Sequence, residues 1–478
     1  MDITILIQLS LLLLTIYAGA RYGGIALGSM AGIGLLIFVF VFGLQPGTPP
    51  TDVIYIILAA VLCAGTLQAS GGMVWLLQIA ERLLRRHPER ITLFAPFCMF
   101  FLTVMVGTGH VMYTLMPIIY DIAIRQGIRP ERPCAVSSIA AQVGITCSPI
   151  AAAVVAFTVI SAHNGVSFTI PQVLSVTIPS CMTGLLMASL ISLKRGKNLA
   201  DDKEFQERIS TEEGRNYVYG DSATTLHKKV DRRAKCAVYI FFAAILSIIV
   251  FAIFPSLLPS FKQLSVVAGV SDTFQGLTAA QLQKAGAFVE GFTEYKMVPL
   301  KMNLLIQIIM LLASALMIIC VRIQPKKIIS GNVWQSGMSA AVAIFGIAWL
   351  TDTFVTNNMA SMKELLGNMV EVYPVSIAVV FFLLSTLLYS QGAVVTAMMP
   401  LAYSLGLGGT FLLGILPSVY GYFFIPNYPS DMATINFDRS GTTRIGKYLL
   451  NHSFMLPGLV CVITSVTVAS ILSSLFYA

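Results

Sequence analysis

The amino-acid sequence predicts an all-α polytopic membrane protein with about ten transmembrane helices and two re-entrant hairpins, arranged as inverted repeats. Three observations support this prediction: long apolar runs, the distribution of Lys and Arg between them, and an internal resemblance between two segments. Of the 478 residues, 56% are hydrophobic and 11% are charged. Soluble domains carry roughly a quarter of charged residues, so the composition excludes an ordinary soluble protein.

The apolar runs are long enough to form transmembrane helices, because a bilayer core of about 30 Å needs about 20 apolar residues per helix. The first run, Ile3 to Ala18, lacks a basic start and a small-residue cleavage site. We therefore interpret it as a retained span rather than a signal peptide. The sequence has no Walker motif, so we do not expect ATP-driven transport.

The composition predicts neither a cofactor nor a nucleic-acid partner. The eight Cys and five His are scattered without CxxC pairs or metal-ligand spacing, so we predict no metal site. The net charge of +8 could indicate nucleic acid, but membrane proteins also concentrate Lys and Arg in their cytoplasmic loops. The second explanation suits a chain with this many apolar runs.

Basic residues divide the connecting segments into two classes. Segments 82–90, 125–132, 194–235 and 439–447 are rich in Lys and Arg, whereas 45–51 and 161–167 contain none. If both termini lie outside and the chain crosses ten times, most of the 30 Lys and Arg fall inside, as the positive-inside rule expects.

This topology requires two re-entrant hairpins. The apolar segment between Arg90 and Arg125 has basic flanks at both ends, so it must enter and leave on the cytoplasmic side. Val375 to Gly406 must do the same from the outside. Such hairpins are tolerated only where protein or water satisfies the broken backbone.

The two hairpin segments resemble each other. "FFLTVMVGTGHVMYTLMP" (Phe100 to Pro117) aligns with "FFLLSTLLYSQGAVVTAMMP" (Phe381 to Pro400), and weaker similarities flank both. Chance similarity between apolar segments is the alternative. Inverted repeats with interrupted helices are typical of secondary transporters, whose sites lie near the bilayer midplane at the repeat interface.

Polar residues interrupt the repeats at four breaks, each followed by a predicted half-helix. In chain order the breaks are residues 107–109, 146–149, 390–392 and 427–430. A helix N-terminus carries unsatisfied N–H groups and about half a positive charge. Four converging N-termini would therefore suit a small dianion, with hydroxyl and amide side chains as donors. For any single break, a kink with satisfied backbone is the alternative. The predicted substrate-binding residues are Thr108, Gly109, His110, Thr146, Ser148, Pro149, Ser390, Gln391, Gly392, Asn427 and Ser430.

Some of these residues have more specific predicted roles. Ser148 followed by Pro149 is typical of an N-cap with Pro at the first helical position, and Tyr428 with Pro429 repeats the pattern. Two acids within apolar segments, Asp352 and Asp431, are candidates for coupling or gating. The alternative for Asp431 is compensation of a helix dipole. The alternative for His110 is an ordinary hydrogen bond in the core.

Long motifs now resemble one known family. The segments that carry the resemblance are "ARYGGIALGSMAGIG", "TLQASGG", "ERLLRRHPERIT", "GTGHVMYTLMPIIYD", "IRPERP", "SSIAAQVGITCSPIAAAVV", "GIAWLTDTF", "YPSDMATINFDRSGTTRIGKY" and "NHSFMLPG". With them the chain resembles the anaerobic C4-dicarboxylate transporter (Dcu) family over nearly its whole length. The loop "FQERIS…YVYGDSATTL" is most similar to the B-type branch of fumarate/succinate antiporters.

The resemblance implies a transporter rather than an enzyme, which exchanges fumarate, malate or aspartate for succinate across the bacterial inner membrane during anaerobic respiration. It further implies an ion-transporter-like, elevator-type architecture, with a scaffold and a mobile transport domain that carries both hairpins. A homodimer is expected by fold analogy, and B-type members are associated with a membrane sensor histidine kinase. Asn427 stands where a "PTYP" motif would have Thr, and the outer loop 255–299 is longer than usual.

These implications complete the predicted organisation, in which both termini are periplasmic. Its parts are scaffold helices 1–51, a first repeat 52–160, scaffold helices 161–330 with cytoplasmic loop 194–235 and periplasmic loop 255–299, a second repeat 331–437, and an interfacial segment with the last helix, 438–478. Two other functions remain open. One is a cation or proton antiporter that uses Asp352 and Asp431, and the other is a membrane sensor partner that binds dicarboxylate without moving it.

Overall fold

The computed structural model describes residues 3–22, 25–220, 223–266, 293–388, 390–426, 428–446 and 451–477. Helices α1 to α12 precede the outer loop, with bounds Ile3–Tyr22, Ala26–Leu36, Thr51–Ala69, Gly72–Arg86, Ile91–Val106, Met112–Arg125, Glu131–Val143, Ala152–His163, Ile170–Ser192, Lys203–Arg208, Glu212–Tyr219 and Arg232–Ile253. Helices α13 to α20 follow it, with bounds Met302–Val321, Pro325–Ile329, Asn332–Val372, Ser376–Leu388, Gln391–Ser404, Gly409–Ile415, Pro429–Phe437 and Met455–Tyr477.

The prediction of an all-α chain is wrong in the outer loop. Strand β1, Ser260–Val266, pairs antiparallel with β2, Thr293–Pro299, so that Ser260 lies opposite Pro299. Alternation of Tyr295 and Met297 with charged neighbours is the period-two pattern of a strand, which the sequence analysis did not use. The residues between the two strands lie outside the described part of the chain.

Long apolar helices make the chain a multi-pass membrane protein. Seven described helical segments are long and apolar enough to cross a bilayer, or eight if the bent pair α3 and α4 counts as one span. Among the described residues, fewer helices than the predicted ten or so are long and apolar enough to span a bilayer. Four shorter apolar helices remain: Ile3–Gly19, Ala26–Val41, Ser376–Thr386 and Gly409–Val419.

The two segments predicted as repeats contain helices of different shape. In the first repeat the chain bends by 71° between α3 and α4. Gly71 takes a left-handed conformation there, with φ of 79°, which glycine adopts at little cost. In the second repeat α15 runs on for 41 residues. At 1.5 Å per residue that is roughly 60 Å, about twice the bilayer core.

Packing divides the long helices into two groups. Helices α1, α2, α3, α12, α13 and α15 pack mainly against one another, and we call them the α3 group. Helices α5 to α9 and α16 to α20 form the α7 group. The two groups meet chiefly where α15 contacts α17 and where α3 contacts α8. Helix α4 contacts helices of both groups. The predicted scaffold range 161–330 thus includes α9, which packs against α20 and α7 instead.

Small residues bring α2 and α15 into close contact within the α3 group. A Cβ atom built on Gly346 would lie 2.1 Å from the carbonyl oxygen of Gly28. A Cβ atom on Gly28 would lie 2.0 Å from the carbonyl oxygen of Val342. Transmembrane helices use such small residues so that their backbones can approach, and any larger side chain here would force the two helices apart.

The basic segments lie on a common face. Asp121 near the end of α6 accepts a hydrogen bond from Arg125 at 2.7 Å and another from Arg85 near the end of α4 at 3.4 Å. Arg125 also donates to the main-chain carbonyls of Tyr219 and Gly220 at the end of α11. Because α5 begins soon after α4 ends, the start of α5 and the end of α6 lie at the same face.

Candidate functional site

The first break is a sharp turn between α5 and α6. Helix α5 ends because Gly107 is left-handed, with φ of 77°, and its N–H donates to the Thr103 carbonyl at 2.8 Å. Thr108 is extended, and a short 3-10 turn, Gly109–Val111, leads into α6. The Thr108 hydroxyl oxygen is buried and has no hydrogen-bond partner among the described residues.

The first break packs directly against α7 and the second break. A Cβ atom on Gly107 would lie 2.8 Å from Ile150 Cγ1 and 3.4 Å from Ser148 Oγ. A Cβ atom on Gly109 would lie 2.9 Å from the carbonyl oxygen of Ala141. Both glycines are therefore needed for the close approach of the two breaks.

The prediction that Ser148 is the N-cap of α8 is wrong. A 3-10 turn ends at Cys147, and α8 begins only at Ala152, with Ala151 at its N-cap and no side-chain cap. Ser148 instead accepts a hydrogen bond from the Ile150 N–H at 3.4 Å, in the turn that also contains Pro149. The first N–H groups of α8 are consequently left available to another acceptor.

The Thr146 hydroxyl is less available for substrate binding than was predicted from the sequence. Its side chain is fully buried, and the hydroxyl donates to the Val143 carbonyl at 2.9 Å. This bond holds the second break together and commits the hydroxyl proton to the protein itself.

The third break places a second helix N-terminus beside the first. Ser390 caps α17 by accepting a hydrogen bond from the Ala393 N–H at 3.2 Å. A Cβ atom on Gly392 would lie 3.3 Å from the Cβ atom of Ala152. The first turns of α17 and α8 are thus in contact, and their partial positive charges lie close together.

The fourth break begins α19 as predicted. Tyr428 is the N-cap residue and Pro429 occupies the first helical position, which confirms that part of the prediction. The predicted ligand Asn427 lies outside the described residues. Ser430 and Asp431 follow in the first turn, and both are buried.

A chain of hydrogen bonds joins the third and fourth breaks through α7. Gln391 Nε2 donates to the main-chain carbonyl of Gln142 at 2.7 Å. Gln142 Nε2 donates to Ser430 Oγ at 3.2 Å and to Asp431 Oδ1 at 3.1 Å. Ser138 Oγ donates to the same Asp431 oxygen at 2.6 Å. We call these five residues the α7 polar chain.

Ser138 and Gln142 are not among the site residues predicted from the sequence. Their spacing of four residues puts them on one face of α7. Polar side chains at that spacing on an otherwise apolar helix were the available signal. No pattern within the sequence, however, indicates that this face meets the fourth break.

A cavity of about 70 Å³ lies where the two helix groups meet. Its walls include Thr108, Ile150 and Ala152 from the α7 group, together with apolar residues of α3 and α15. His110 Nε2 lies 3.0 Å from the hydroxyl oxygen of Ser336 at the same boundary. The cavity holds roughly two water molecules, so a four-carbon dianion needs the walls to separate.

Asp352 is not part of this cluster. Its carboxylate accepts hydrogen bonds from the main-chain N–H of Thr48 at 2.7 Å and from the Thr48 hydroxyl at 3.4 Å. The neighbouring Thr353 hydroxyl accepts from the Gly47 N–H at 3.0 Å. Asp352 therefore fastens the segment before α3 to α15, within the α3 group.

The charge distribution favours an anion at the helix N-termini. Among the described residues that line the cavity or form the α7 polar chain, none is Lys or Arg. Any positive potential at the first turns of α8 and α17 therefore comes from their remaining main-chain N–H groups and from the helix dipoles. No group of three or more His, Cys, Asp or Glu in the described part of the chain could hold a metal ion.

Comparison with known proteins gives matches along nearly the whole chain. A family model described as "Anaerobic c4-dicarboxylate membrane transporter" matches residues 4–477. The anaerobic C4-dicarboxylate transporter DcuB of Escherichia coli O157:H7 is 43% identical over 473 residues, 98% of each chain. The C4-dicarboxylate transporter DcuA of Escherichia coli strain K12 is 34% identical over 471 residues, 98% of this chain and 99% of DcuA.

One solved structure shows a similar fold. Neisseria gonorrhoeae MtrF, described as belonging to a class of antimetabolite efflux pumps, superposes with a TM-score of 0.53 at 12% sequence identity. The match covers 98% of this chain and 94% of MtrF. At this identity the likeness concerns the fold and carries no statement about substrate.

Proposed function

Because the chain belongs to the anaerobic C4-dicarboxylate membrane transporter family, we propose that it exchanges C4-dicarboxylates, with fumarate, malate or aspartate entering and succinate leaving. The chain is a membrane transporter, since relatives that match almost its whole length are transporters and not enzymes. The observation that best supports an anionic substrate is the contact between the first turns of α8 and α17, at Ala152 and Gly392.

The substrate carboxylates would bind at these two N-termini. Each N-terminus contributes about half a positive charge, and N–H donors bind a carboxylate without a desolvated Arg or Lys. Thr108 adds a hydroxyl without a partner among the described residues, and it lines the cavity beside Ala152. Ser390 and Thr146 act mainly by holding the turns in place, because their polar atoms already bond to main chain.

We assign the α3 group as the scaffold and the α7 group as the mobile transport domain of an elevator-type carrier. The pairing of helices supports this assignment: α6 of the first repeat packs against α19 of the second, and α17 of the second packs against α8 of the first. Such reciprocal pairing is what inverted repeats produce around a shared site. On this assignment α9 and α20 move with the transport domain.

The hairpins and the topology remain part of the proposal. The bonds of Asp121 to both Arg85 and Arg125 support a first segment that enters and leaves on one side. That side would be the cytoplasm, with both termini in the periplasm of a bacterial inner membrane, because it carries the basic loops. The proposed homodimer rests on fold analogy, and the proposed sensor-kinase partner rests on the family resemblance.

Counterflow tests the proposed function. Proteoliposomes loaded with succinate should take up labelled fumarate rapidly, and vesicles without internal dicarboxylate should take up far less. Equal uptake by both kinds of vesicle would contradict exchange as the main activity. Ion flux that proceeds without any dicarboxylate would favour a cation antiporter, and binding without flux would favour a sensor.

A further inference from the structure

Asp431 differs from the other buried acids of this protein. Its side chain is 0% exposed, and one oxygen, Oδ1, accepts hydrogen bonds from Ser138 at 2.6 Å and Gln142 at 3.1 Å. The other oxygen, Oδ2, is buried without a hydrogen-bond partner among the described residues. An ionised carboxylate in such a place is costly unless a positive charge compensates it.

The other buried carboxylates in the described part of the chain all have hydrogen-bond or ion-pair partners. Glu81, Asp121 and Glu131 each form an ion pair with an arginine, at 2.9, 2.7 and 2.7 Å respectively. Asp438 has no such pair, but donors from the turn that follows it bond to both of its oxygens. Within the described residues, Asp431 alone of these acids keeps an oxygen without a donor.

We propose that Asp431 binds a monovalent cation, H⁺ or Na⁺, which moves together with the dicarboxylate. The proposal deepens the proposed transport function and rests on it. A helix dipole also helps, because Asp431 lies in the first turn of α19. That effect is smaller than the cost of burying a bare carboxylate.

Two further oxygens point to the same conclusion. Gln142 Oε1 and Gln391 Oε1 are also buried without a hydrogen-bond partner among the described residues. Both belong to the α7 polar chain that contains Asp431. All three atoms are acceptors. These acceptors lack a hydrogen-bond donor or a positive charge. A dicarboxylate cannot supply either one, whereas a cation or a bound proton can.

The position of the α7 polar chain would couple cation binding to substrate binding. Gln391 begins α17, and the next residue, Gly392, packs on Ala152 at the start of α8, where we place a substrate carboxylate. A cation that holds the α7 polar chain in position therefore also holds the α17 N-terminus in position. Each ligand would then raise the affinity for the other, since coupling between two sites is reciprocal.

Few other titratable groups face Asp431. Tyr113 from α6 and Tyr428 ahead of α19 interact with it electrostatically. The donors to Asp431 from α7 are Ser138 and Gln142, neither of which titrates, and Gln391 of α17 joins them through its hydrogen bond to the Gln142 carbonyl. A pH dependence of transport near neutrality that Asp431→Asn removes would therefore be assigned to Asp431, and not to His110 or to either phenol, whose ordinary pKa is about 10.

The test uses the purified full chain and Asp431→Asn, which keeps the shape and removes the charge. Fumarate counterflow is measured from pH 6 to 8 without Na⁺, and then with 0 to about 100 mM Na⁺ at one pH. For the native chain we expect the apparent fumarate affinity to change at least about fivefold in either the pH series or the Na⁺ series. The series that shows the change identifies the ion as H⁺ or Na⁺. Asp431→Asn should show neither dependence, whereas the control Asp352→Asn should keep it.

A second measurement separates this proposal from the proposed function. Bound cation stabilises the folded state by mass action, so Na⁺ or low pH should raise the thermal midpoint of the native chain in detergent, but not that of Asp431→Asn. If Asp431→Asn does not fold, Asp431→Glu should keep the cation effect with altered affinity. A native chain insensitive to both ions, or an Asp431→Asn variant as sensitive as the native chain, would overturn the proposal. A cation effect without any counterflow would overturn dicarboxylate exchange instead.

Discussion

The imidazole Nε2 of His110 lies 3.0 Å from the hydroxyl oxygen of Ser336, and this hydrogen bond joins the first break to α15. The two residues belong to different helix groups. The bond can therefore exist only while the groups hold the relative position described here, and it stabilises that position by about 1 kcal/mol.

Loss of this bond should favour substrate binding. In the arrangement described, the cavity is too small for a dicarboxylate, so destabilising it raises the population that can bind. We expect Ser336→Ala to lower the apparent KM for fumarate about threefold in counterflow assays. Ser339→Ala, three residues along the same helix, is the control and should leave KM unchanged. A raised KM for Ser336→Ala would contradict this role.

The Thr108 hydroxyl should contribute directly to affinity. A hydrogen bond to a charged ligand contributes about 1.5–3 kcal/mol, so Thr108→Val should raise the KM for fumarate at least about tenfold with a smaller effect on the maximal rate. The matched control is Thr183→Val, whose hydroxyl bonds to the Pro179 carbonyl on α9. Equal KM values for the two variants would remove Thr108 from the site.

Gly109 should be intolerant of even the smallest side chain. A methyl group there would lie 2.9 Å from the main-chain carbonyl oxygen of Ala141, which cannot move without α7. Overpacking costs about 1–3 kcal/mol, so we expect Gly109→Ala to reduce counterflow at least about tenfold while the protein still inserts into the membrane. Gly32→Ala, where no atom lies within 4 Å of the added carbon, should transport normally.

The loop 194–235, which contains Asp202, should loosen in acid. Partial burial raises the pKa of Asp202. Hydrogen bonds from Arg129 and from the Phe205 N–H, together with the Arg129 charge, lower it by more, so the pKa of Asp202 is below its ordinary value. An acid whose pKa is lower in the folded state than in the unfolded state stabilises the folded state at any pH above the unfolded-state pKa. That stabilisation is lost as the pH falls through the folded-state pKa. Hydrogen exchange in α10, corrected for intrinsic rates, should be constant from about pH 8 to 5 and faster below about pH 4. Asp202→Asn should remove this dependence, whereas Asp201→Asn should retain it.

Cysteine labelling tests the first hairpin. Single cysteines at Arg90 and Gln126, in a background without native cysteines, should react with an impermeant reagent from the same side of the membrane. Both positions are exposed. A cysteine at Asn164, in a connection without Lys or Arg, should react from the opposite side. Labelling of the Arg90 and Gln126 positions from opposite sides would show a full crossing.

The breaks were predictable because glycine and proline act locally. Gly107 ends α5 through its own left-handed conformation, and Pro429 starts α19 at the first helical position, both without help from distant residues. The membrane class followed from composition and the basic face from the distribution of Arg. In each case the signal lies within a few residues of the feature.

Features that depend on distant packing were not predictable from this sequence. Ser148 and Pro149 form a plausible N-cap locally, but the turn that approaches Gly107 delays α8 until Ala152. The partnership of Gln142 with Asp431 joins residues 289 positions apart. Asp352 looked like a candidate for ion coupling, yet its partner, Thr48, lies 304 positions away.

The apolar residues of α3 and α15 cover the N-terminus of α8 across a cavity of about 70 Å³. The proposed exchange requires that the unloaded carrier does not reorient, because such slippage would dissipate the succinate gradient. Sliding this wall past α8 without a substrate would expose bare N–H groups to hydrocarbon, where each costs several kcal/mol. A bound carboxylate removes that barrier by accepting those hydrogen bonds. On the proposed function, the wall formed by α3 and α15 would thereby tie each reorientation of the carrier, in either direction, to a bound dicarboxylate.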